Sequence, residues 1–169
     1  MGPGLWIALG TIAVGVIIGL VMAGHYNKLF KGGVANKNHK YDFYQQIHTF
    51  KTVVPDLQTM LTALDMNVMR GQGISITQDT EGGRLVFHNS MGTMAASITA
   101  NAGGQQDGIY RFSFKLDSWK TRNNSIVNSA RMDGNIILTQ LEKAFLRLDY
   151  NAVVERIYMT NLKSSTSFL

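Results

Sequence analysis

The sequence predicts an α+β domain that follows a single N-terminal transmembrane helix. Three observations support this prediction: an uncharged apolar stretch near the start, a central series of short alternating runs separated by turn residues, and helical spacing of apolar residues on both sides of that series. The 169 residues are enough for one ordinary domain and one short additional element. The central runs predict a roughly four-stranded antiparallel meander flanked by helices.

The apolar stretch runs from Leu5 to Ala23 and contains no charged side chain. A transmembrane helix needs about 20 such residues to cross the hydrocarbon core of a bilayer. Trp6 lies near one end, where an indole ring favours the headgroup boundary. The lack of a basic residue before the stretch favours a retained anchor over a cleaved signal peptide. We therefore expect a transmembrane helix over residues 5–24, after a short N-terminal tail of residues 1–4.

Small residues recur at every fourth position of this stretch, at Thr11, Gly15, Gly19 and Ala23. Residues four apart lie on one face of a helix, so these residues would form a shallow groove. In lipid, close backbone approach at such residues promotes helix association. The pattern predicts packing against another transmembrane helix, in a homo-oligomer or a hetero-oligomer. The alternative is that glycine is simply common in transmembrane helices.

Residues 25–40 are rich in lysine, glycine and asparagine, which predicts a juxtamembrane linker. Lys28 and Lys31 follow the apolar stretch closely, whereas no basic residue precedes it. The positive-inside rule therefore predicts an outside N-terminus and a cytoplasmic domain, in a single-pass protein of a bacterial inner membrane. We expect the same lysines to attract anionic lipid headgroups.

The globular domain is assigned to residues 41–162, and residues 163–169 are expected to form a flexible tail. Residues 40–66 have helical spacing of apolar residues, interrupted at Pro55, which cannot continue the hydrogen-bond ladder of a helix. This part of the chain predicts two short helices or one bent helix.

Four short runs follow, and each has the length of a strand; they cover residues 73–77, 84–89, 93–100 and 109–116. The segments between them are rich in glycine, asparagine and aspartate, which favour turns. In the fourth run, Tyr110, Phe112, Phe114 and Leu116 alternate with polar residues, so one face is expected to be buried. Helical spacing returns over residues 136–159, and both helical regions are expected to pack on one face of the sheet.

Composition excludes several classes of function. The net charge is +5 and the pI is about 9.6, but the basic residues do not form the clustered face that nucleic-acid binding needs. The lack of cysteine excludes disulfides, thiolate metal sites and cysteine nucleophiles. The four histidines share no metal-ligand spacing, and no two carboxylates form a catalytic motif. We therefore expect no nucleic-acid partner, no catalytic residue, no metal site and no cofactor.

Trp119, Lys120 and Arg122 form an unusual stretch at the end of the last predicted strand. Tryptophan and arginine are enriched in the energetically important parts of protein interfaces, so this stretch is a candidate protein interface. The alternative is that Trp119 covers an edge of the core.

Together, these features predict a non-enzymatic structural or assembly subunit of a multi-protein membrane complex, such as a secretion, pilus-assembly or respiratory machine. Its partners would be other membrane-protein subunits and the lipid bilayer. The first alternative is a membrane-tethered domain that binds a ligand or lipid in a pocket lined by Tyr110, Phe112 and Phe114. An enzyme is a further alternative, and it would need polar residues that converge in a cleft.

A hydrophobic N-terminal helix followed by an antiparallel sheet resembles type IV pilins and pseudopilins in outline. This resemblance implies a subunit of a pilus or secretion apparatus. Members of those families carry a basic leader that ends in glycine, and glutamate is the fifth residue of the mature chain. If Gly4 ended such a leader, Leu9 would stand in place of that glutamate, and no basic residue precedes Gly4.

Overall fold

The computed structural model describes residues 3–39, 41–79, 83–101 and 105–159, with the side chains of the first helix described from residue 11 onward except at residue 13. The chain divides into two compact units, Met1–Ala35 and Asn36–Leu169. The second unit combines helices with an antiparallel sheet, which confirms the predicted α+β class. The predicted tail, residues 163–169, lies outside the described residues.

The first unit consists mainly of helix α1, Pro3–Lys31. Proline is favourable near a helix start because the N–H that it lacks would have no partner within the helix. The helix ends at two glycines, and Gly33 adopts a φ of 66°, which glycine reaches without steric cost. The amide of Val34 then donates to the carbonyl of Leu29 at 2.9 Å. Residues 25–31, which the sequence analysis places in a linker, are therefore helical.

Within the part of the chain that the structure describes, no helix is long and apolar enough to cross a membrane. The predicted span over residues 5–24 extends beyond that part, because the side chains of residues 5–10 and of Ala13 lie outside it. The side chain of Trp6 is among them. The transmembrane assignment therefore stays a prediction.

The domain is built on a six-stranded antiparallel sheet with the strand order β2-β3-β4-β5-β1-β8. Its strands are β1 Gln46–Thr52, β2 Ile74–Gln78, β3 Arg84–Asn89, β4 Met94–Ala100, β5 Tyr110–Trp119 and β8 Val153–Tyr158. A separate short ribbon pairs β6 Thr121–Arg122 with β7 Ser125–Ile126. The predicted four-stranded meander corresponds to β2 through β5. Strands β1 and β8 extend the sheet beyond β5.

Three α-helices accompany the sheet: α2 Leu57–Ala63, α3 Met66–Gly71 and α4 Asn128–Leu148. An aspartate is the N-cap residue of each of the first two helices. The carboxylate of Asp56 accepts from the amide of Thr59, and the carboxylate of Asp65 accepts from the amides of Asn67 and Val68. These N-caps satisfy backbone donors that a helix start leaves unpaired. The second half of the helical region predicted over residues 40–66 is thereby confirmed.

The first half of that prediction is wrong, because residues 46–52 form strand β1 after a single 3₁₀ turn, Phe43–Gln45. Alternate residues of β1 are buried, and three of those four are polar: Gln46, His48 and Thr52. Polar residues at buried positions hide the alternation of hydropathy that identifies a strand from sequence. Pairing with a strand on each side, β5 and β8, overrides the local helical spacing.

The predicted helix over residues 136–159 also needs correction. Helix α4 begins at Asn128 and ends at Leu148, and Asp149 is already extended. The carboxylate of Asp149 accepts from the amide of Asn151 at 3.0 Å, which forms a local turn. The apolar residues that follow are the β-branched residues of strand β8, which pairs with β1.

Helix α4 packs on one face of the sheet through an aromatic stack. The ring of Phe145 lies 4.6 Å from the ring of Phe50 on β1 and 5.4 Å from that of Phe112 on β5, between centroids. All three side chains are fully buried. At Gly134, a Cβ atom would lie 3.3 Å from the side chains of both Leu116 and Phe43, so glycine lets the helix approach closely. Helix α2 contacts α4 and buries Leu57 and Met60.

Asp149 ties the end of α4 to the end of β1. Its carboxylate accepts from the hydroxyl of Thr52 at 2.8 Å and from the amide of Val53 at 2.9 Å, in addition to the amide of Asn151. The hydrogen bond from Val53 is the main cause that holds the pKa of Asp149 below its usual value, against the opposing effect of burial.

We predict that Asp149→Ala lowers the free energy of unfolding by about 2 kcal/mol at pH 7, because hydrogen bonds to a charged group are lost. The folded pKa is below the unfolded one, so this contribution is present above about pH 4 and is lost as the pH falls through the folded pKa. Urea denaturation followed by tryptophan fluorescence measures it. The matched control is Asp79→Ala at an exposed position, expected within about 0.5 kcal/mol of the parent. Equal effects of the two variants would contradict the assignment.

Candidate functional site

The apolar surface of helix α1 is the most conspicuous feature of the first unit. Every described side chain from residue 11 to residue 24 is exposed. The exposure of its large apolar side chains ranges from 54% at Ile18 to 68% at Leu20. A helix that is apolar on all sides is normally buried in a protein core or in lipid. Within the described residues, this apolar surface is exposed.

The four small residues predicted to pack lie along this helix, and their i, i+4 spacing places them on one face. At Gly15 and Gly19, an added Cβ atom would meet no other atom within 4 Å. Thr11 and Ala23 are exposed on the same helix. The groove predicted from the sequence is therefore open, and its use in helix packing stays a prediction.

The two lysines predicted at the membrane boundary, Lys28 and Lys31, are exposed in the last turn of α1. Cations are favourable at this position because the C-terminal end of a helix carries a partial negative charge. Their placement therefore also has a structural explanation that does not involve lipid.

The predicted interface residues are not presented together. The indole of Trp119 is 8% exposed and lies edge-on to the ring of Tyr44, with centroids 5.2 Å apart. Lys120 and Arg122 are exposed after it in the chain, Lys120 just before the short ribbon and Arg122 in its strand β6. This geometry fits the alternative that Trp119 covers an edge of the core.

The aromatic residues proposed to line a ligand pocket fill the core instead. Phe112 and Phe114 are 1% and 0% exposed, and Phe112 stacks on Phe145. Tyr110 is half-buried at the start of the same strand. The close packing at these residues disfavours the ligand-binding alternative.

Strand β8 forms an unprotected edge of the sheet that sequence analysis missed. Within the described part of the chain, it pairs only with β1. Three of its large side chains are exposed by more than half: Val153, Ile157 and Tyr158. Its two charged residues already have partners, because Glu155 bonds Lys51 and Arg156 lies 3.8 Å from Glu142. Edge strands usually carry prolines, bulges or charged side chains that block further pairing. Strand β8 has no proline and no bulge in its pairing with β1, and of these features it carries only the charges of Glu155 and Arg156.

A largely buried polar cluster, also missed, joins His39, His48 and Glu142, which are distant in sequence, and the exposed side chain of Arg156 lies at its margin. His39 Nε2 lies 3.0 Å from Glu142 Oε2, across a separation of 103 residues. His48 Nε2 donates to the carbonyl of Phe43 at 3.1 Å. Arg156 stands opposite His48 in the pairing of β1 with β8. Spacing along the chain could not reveal this cluster, because only the fold brings α4, β1 and β8 together.

A second polar cluster ties the β3–β4 turn to the first half of α4. The side-chain amide of Asn89 donates to Thr93 Oγ1 at 2.6 Å and to Asp133 Oδ2 at 2.7 Å. Burial raises the pKa of Asp133, and the hydrogen bond from Asn89 opposes that effect. All of these polar groups are satisfied by one another, as a structural tie requires.

Among the described residues, no three histidine, aspartate or glutamate side chains come together in a way that could hold a metal ion. In comparisons with known proteins, the sequence matches no protein family, no curated protein and no solved structure. The likeness to pilins therefore rests on outline alone.

We predict that Trp119→Ala destabilises the domain by about 3–5 kcal/mol, because it removes a large side chain from the edge of the core. Arg122→Ala, at an exposed position three residues away, is the control and should change the free energy of unfolding by less than about 0.5 kcal/mol. Denaturation followed by circular dichroism measures both. A Trp119→Ala domain as stable as the parent would restore the interpretation of Trp119 as an interface anchor.

Proposed function

We propose that this protein is a non-enzymatic structural subunit of a multi-protein membrane complex, anchored by α1 and docked to partner subunits through its α+β domain. The observation that carries the proposal is the exposure of every described side chain from residue 11 to residue 24, in the uncharged apolar part of helix α1.

The free energy of burying these side chains supports lipid as the main cover. Full burial of one large aliphatic side chain contributes about 1.5–3 kcal/mol, so exposing the whole set to water costs on the order of 10 kcal/mol. A groove on a soluble partner would cover one face of the helix, whereas this helix is apolar on all sides. Lipid covers all sides at once.

The open groove at Gly15 and Gly19 supports a second, more specific contact. Bulky side chains occupy the rest of the helix surface, including Ile17 and Val21. Lipid chains fill a notch less completely than the ridge of another helix does, and small residues allow backbones to approach closely. Helix packing at this groove would place the subunit within a complex.

The edge of β8 supports docking of the domain by strand addition. We propose that an extended segment of a partner subunit pairs with β8 and becomes a seventh strand of the sheet. Pairing with a second copy of β8 is disfavoured in the two registers centred on the charged residues, because these place Glu155 opposite Glu155 or Arg156 opposite Arg156. The apolar side chains of Val153 and Ile157 would then contact apolar side chains of the partner strand.

The proposed orientation follows the lysines after the apolar stretch, so that the domain lies in the cytoplasm. A basic juxtamembrane segment, with Lys28 and Lys31 exposed, supports this orientation.

We expect Gly15→Leu and Gly19→Leu to release the protein from its complex in mild detergent, because a leucine side chain holds the neighbouring helix away. The domain should stay folded, since both glycines belong to the N-terminal unit and an added Cβ atom at either position would meet nothing within 4 Å. Quantitative co-purification, with tagged parent and variant compared at equal expression, measures the release. Ile17→Leu and Val21→Leu, on the bulky part of the helix surface, are the matched controls and should co-purify like the parent. Unchanged co-purification of the glycine variants would remove helix packing from the proposal.

The orientation is testable because the chain contains no cysteine. We expect Ser125→Cys, at an exposed position of the domain, to react with a membrane-impermeant maleimide only after the membrane is opened. A cysteine at position 2 should react in intact cells. The reverse pattern would place the domain on the outer side.

A further inference from the structure

The domain begins with a short segment that packs against α4 and β1. We call this segment, residues 36–39 and 41–45, the strap. The backbone amide of Asn36 donates to Asn135 Oδ1 at 2.9 Å, and Asn135 Nδ2 donates to the carbonyl of Asn36 at 2.9 Å. His39 bonds Glu142 on the same helix. Phe43 is 2% exposed and lies against the position where Gly134 lacks a side chain.

Beneath the strap, His48 of β1 fixes the strap by a single hydrogen bond to the carbonyl of Phe43. A carbonyl can only accept, so Nε2 of His48 carries the proton of the neutral ring, and Nδ1 is bare. That Nδ1 atom is buried and has no hydrogen-bond partner. A proton added there would be a buried donor without an acceptor, which is unfavourable.

Of the charged groups near His48, two oppose its protonation and one favours it. Arg156 stands opposite it on β8, and His39 approaches from the strap. Glu142 on α4 is the one nearby anion among the described residues, and it already bonds His39 and lies 3.8 Å from Arg156. Phe114, its neighbour on β5, carries no charge.

We propose that protonation of His48 releases the strap. The strap packs on α4 and β1 while His48 is neutral, and it separates from them when His48 takes up a proton. Release would free the carbonyl of Phe43 and let the ring of His48 reach water. It would also free the chain that immediately follows the N-terminal unit from its attachment to the domain. This device goes beyond the proposed structural role and does not depend on it.

The direction of the pH effect follows from linkage. Desolvation by burial is the main cause that lowers the pKa of His48 to about 4. The charges of Arg156 and His39 act in the same direction, whereas the hydrogen bond to the carbonyl of Phe43 and the charge of Glu142 oppose the shift. When the strap is released, the ring of His48 on β1 has its ordinary pKa of about 6.5. The released form therefore binds more protons between these values, and acidification favours it. From pH 7.5 to pH 5, the opening equilibrium constant should rise about 30-fold through His48.

The contact between His39 Nε2 and Glu142 Oε2, at 3.0 Å, also attaches the strap to α4, and a substitution at position 48 leaves both of these residues in place. The contribution of His48 to the pH dependence of strap release is therefore measured by comparing the parent with His48→Gln. Glutamine can still donate a hydrogen bond to the carbonyl of Phe43, but it does not titrate.

The test is hydrogen exchange of the full chain in detergent at pH 7.5 and pH 5, with protection factors corrected for the intrinsic exchange rate at each pH. Peptides covering the strap report its release, and the peptide covering β4 reports global unfolding. We expect the strap of the parent to lose protection on acidification about 30-fold more than that of His48→Gln, while β4 stays protected in both.

A second variant keeps the test decisive if His48→Gln folds poorly. Arg156→Gln removes the cation opposite His48, which narrows the interval between the two pKa values, so the acid-induced loss of protection should shrink. Equal pH responses in the parent and in both variants would overturn the proposal. Simultaneous loss of protection in the strap and β4 would also overturn it, because the response would then be global unfolding.

Discussion

The stacking of Phe145 on Phe50 and Phe112 is the contact on which the arrangement of the domain depends. It joins α4 to β1 and β5, which are neighbours in the sheet but distant in the chain. The absence of a side chain at Gly134 lets the helix approach the sheet closely at its other end. With both ends fixed, the helix can face the sheet in only one rotation.

That rotation determines where the polar residues of α4 lie. Asn135 and Glu142 face the segment that begins the domain, and Asp149 meets the end of β1. Most of these groups bond one another, which removes the penalty of burying them. The exceptions are the Nδ1 atoms of His39 and His48, which are buried and unpartnered. A buried polar atom without a partner is unfavourable, and among the described residues both such atoms occur around one aromatic residue, Phe43.

The two units of the chain differ in which side chains they expose. The domain places its aromatic residues inside and pairs most charges of its outer sheet face, as with Arg84 and Asp117 at 3.0 Å. Helix α1 places large aliphatic residues on its surface and carries no charge between Leu5 and Ala23. A domain suited to water and a helix suited to an apolar environment, in one chain, are the physical basis of the proposed membrane role.

The elements whose signals are local follow from the amino-acid sequence alone. Strands β2 to β5 were predictable because turn residues separate them and because Phe112 and Phe114 alternate with polar residues. The helical region after Pro55 carries its own aspartate caps. Strands β1 and β8 depend instead on tertiary contacts. Strand β1 buries polar residues and so lacks a hydropathy pattern, and β8 continues the helical spacing of α4 until pairing with β1 makes it a strand. The buried histidine cluster and the open edge of the sheet depend on those two strands, so they followed from long-range pairing that no local pattern specifies.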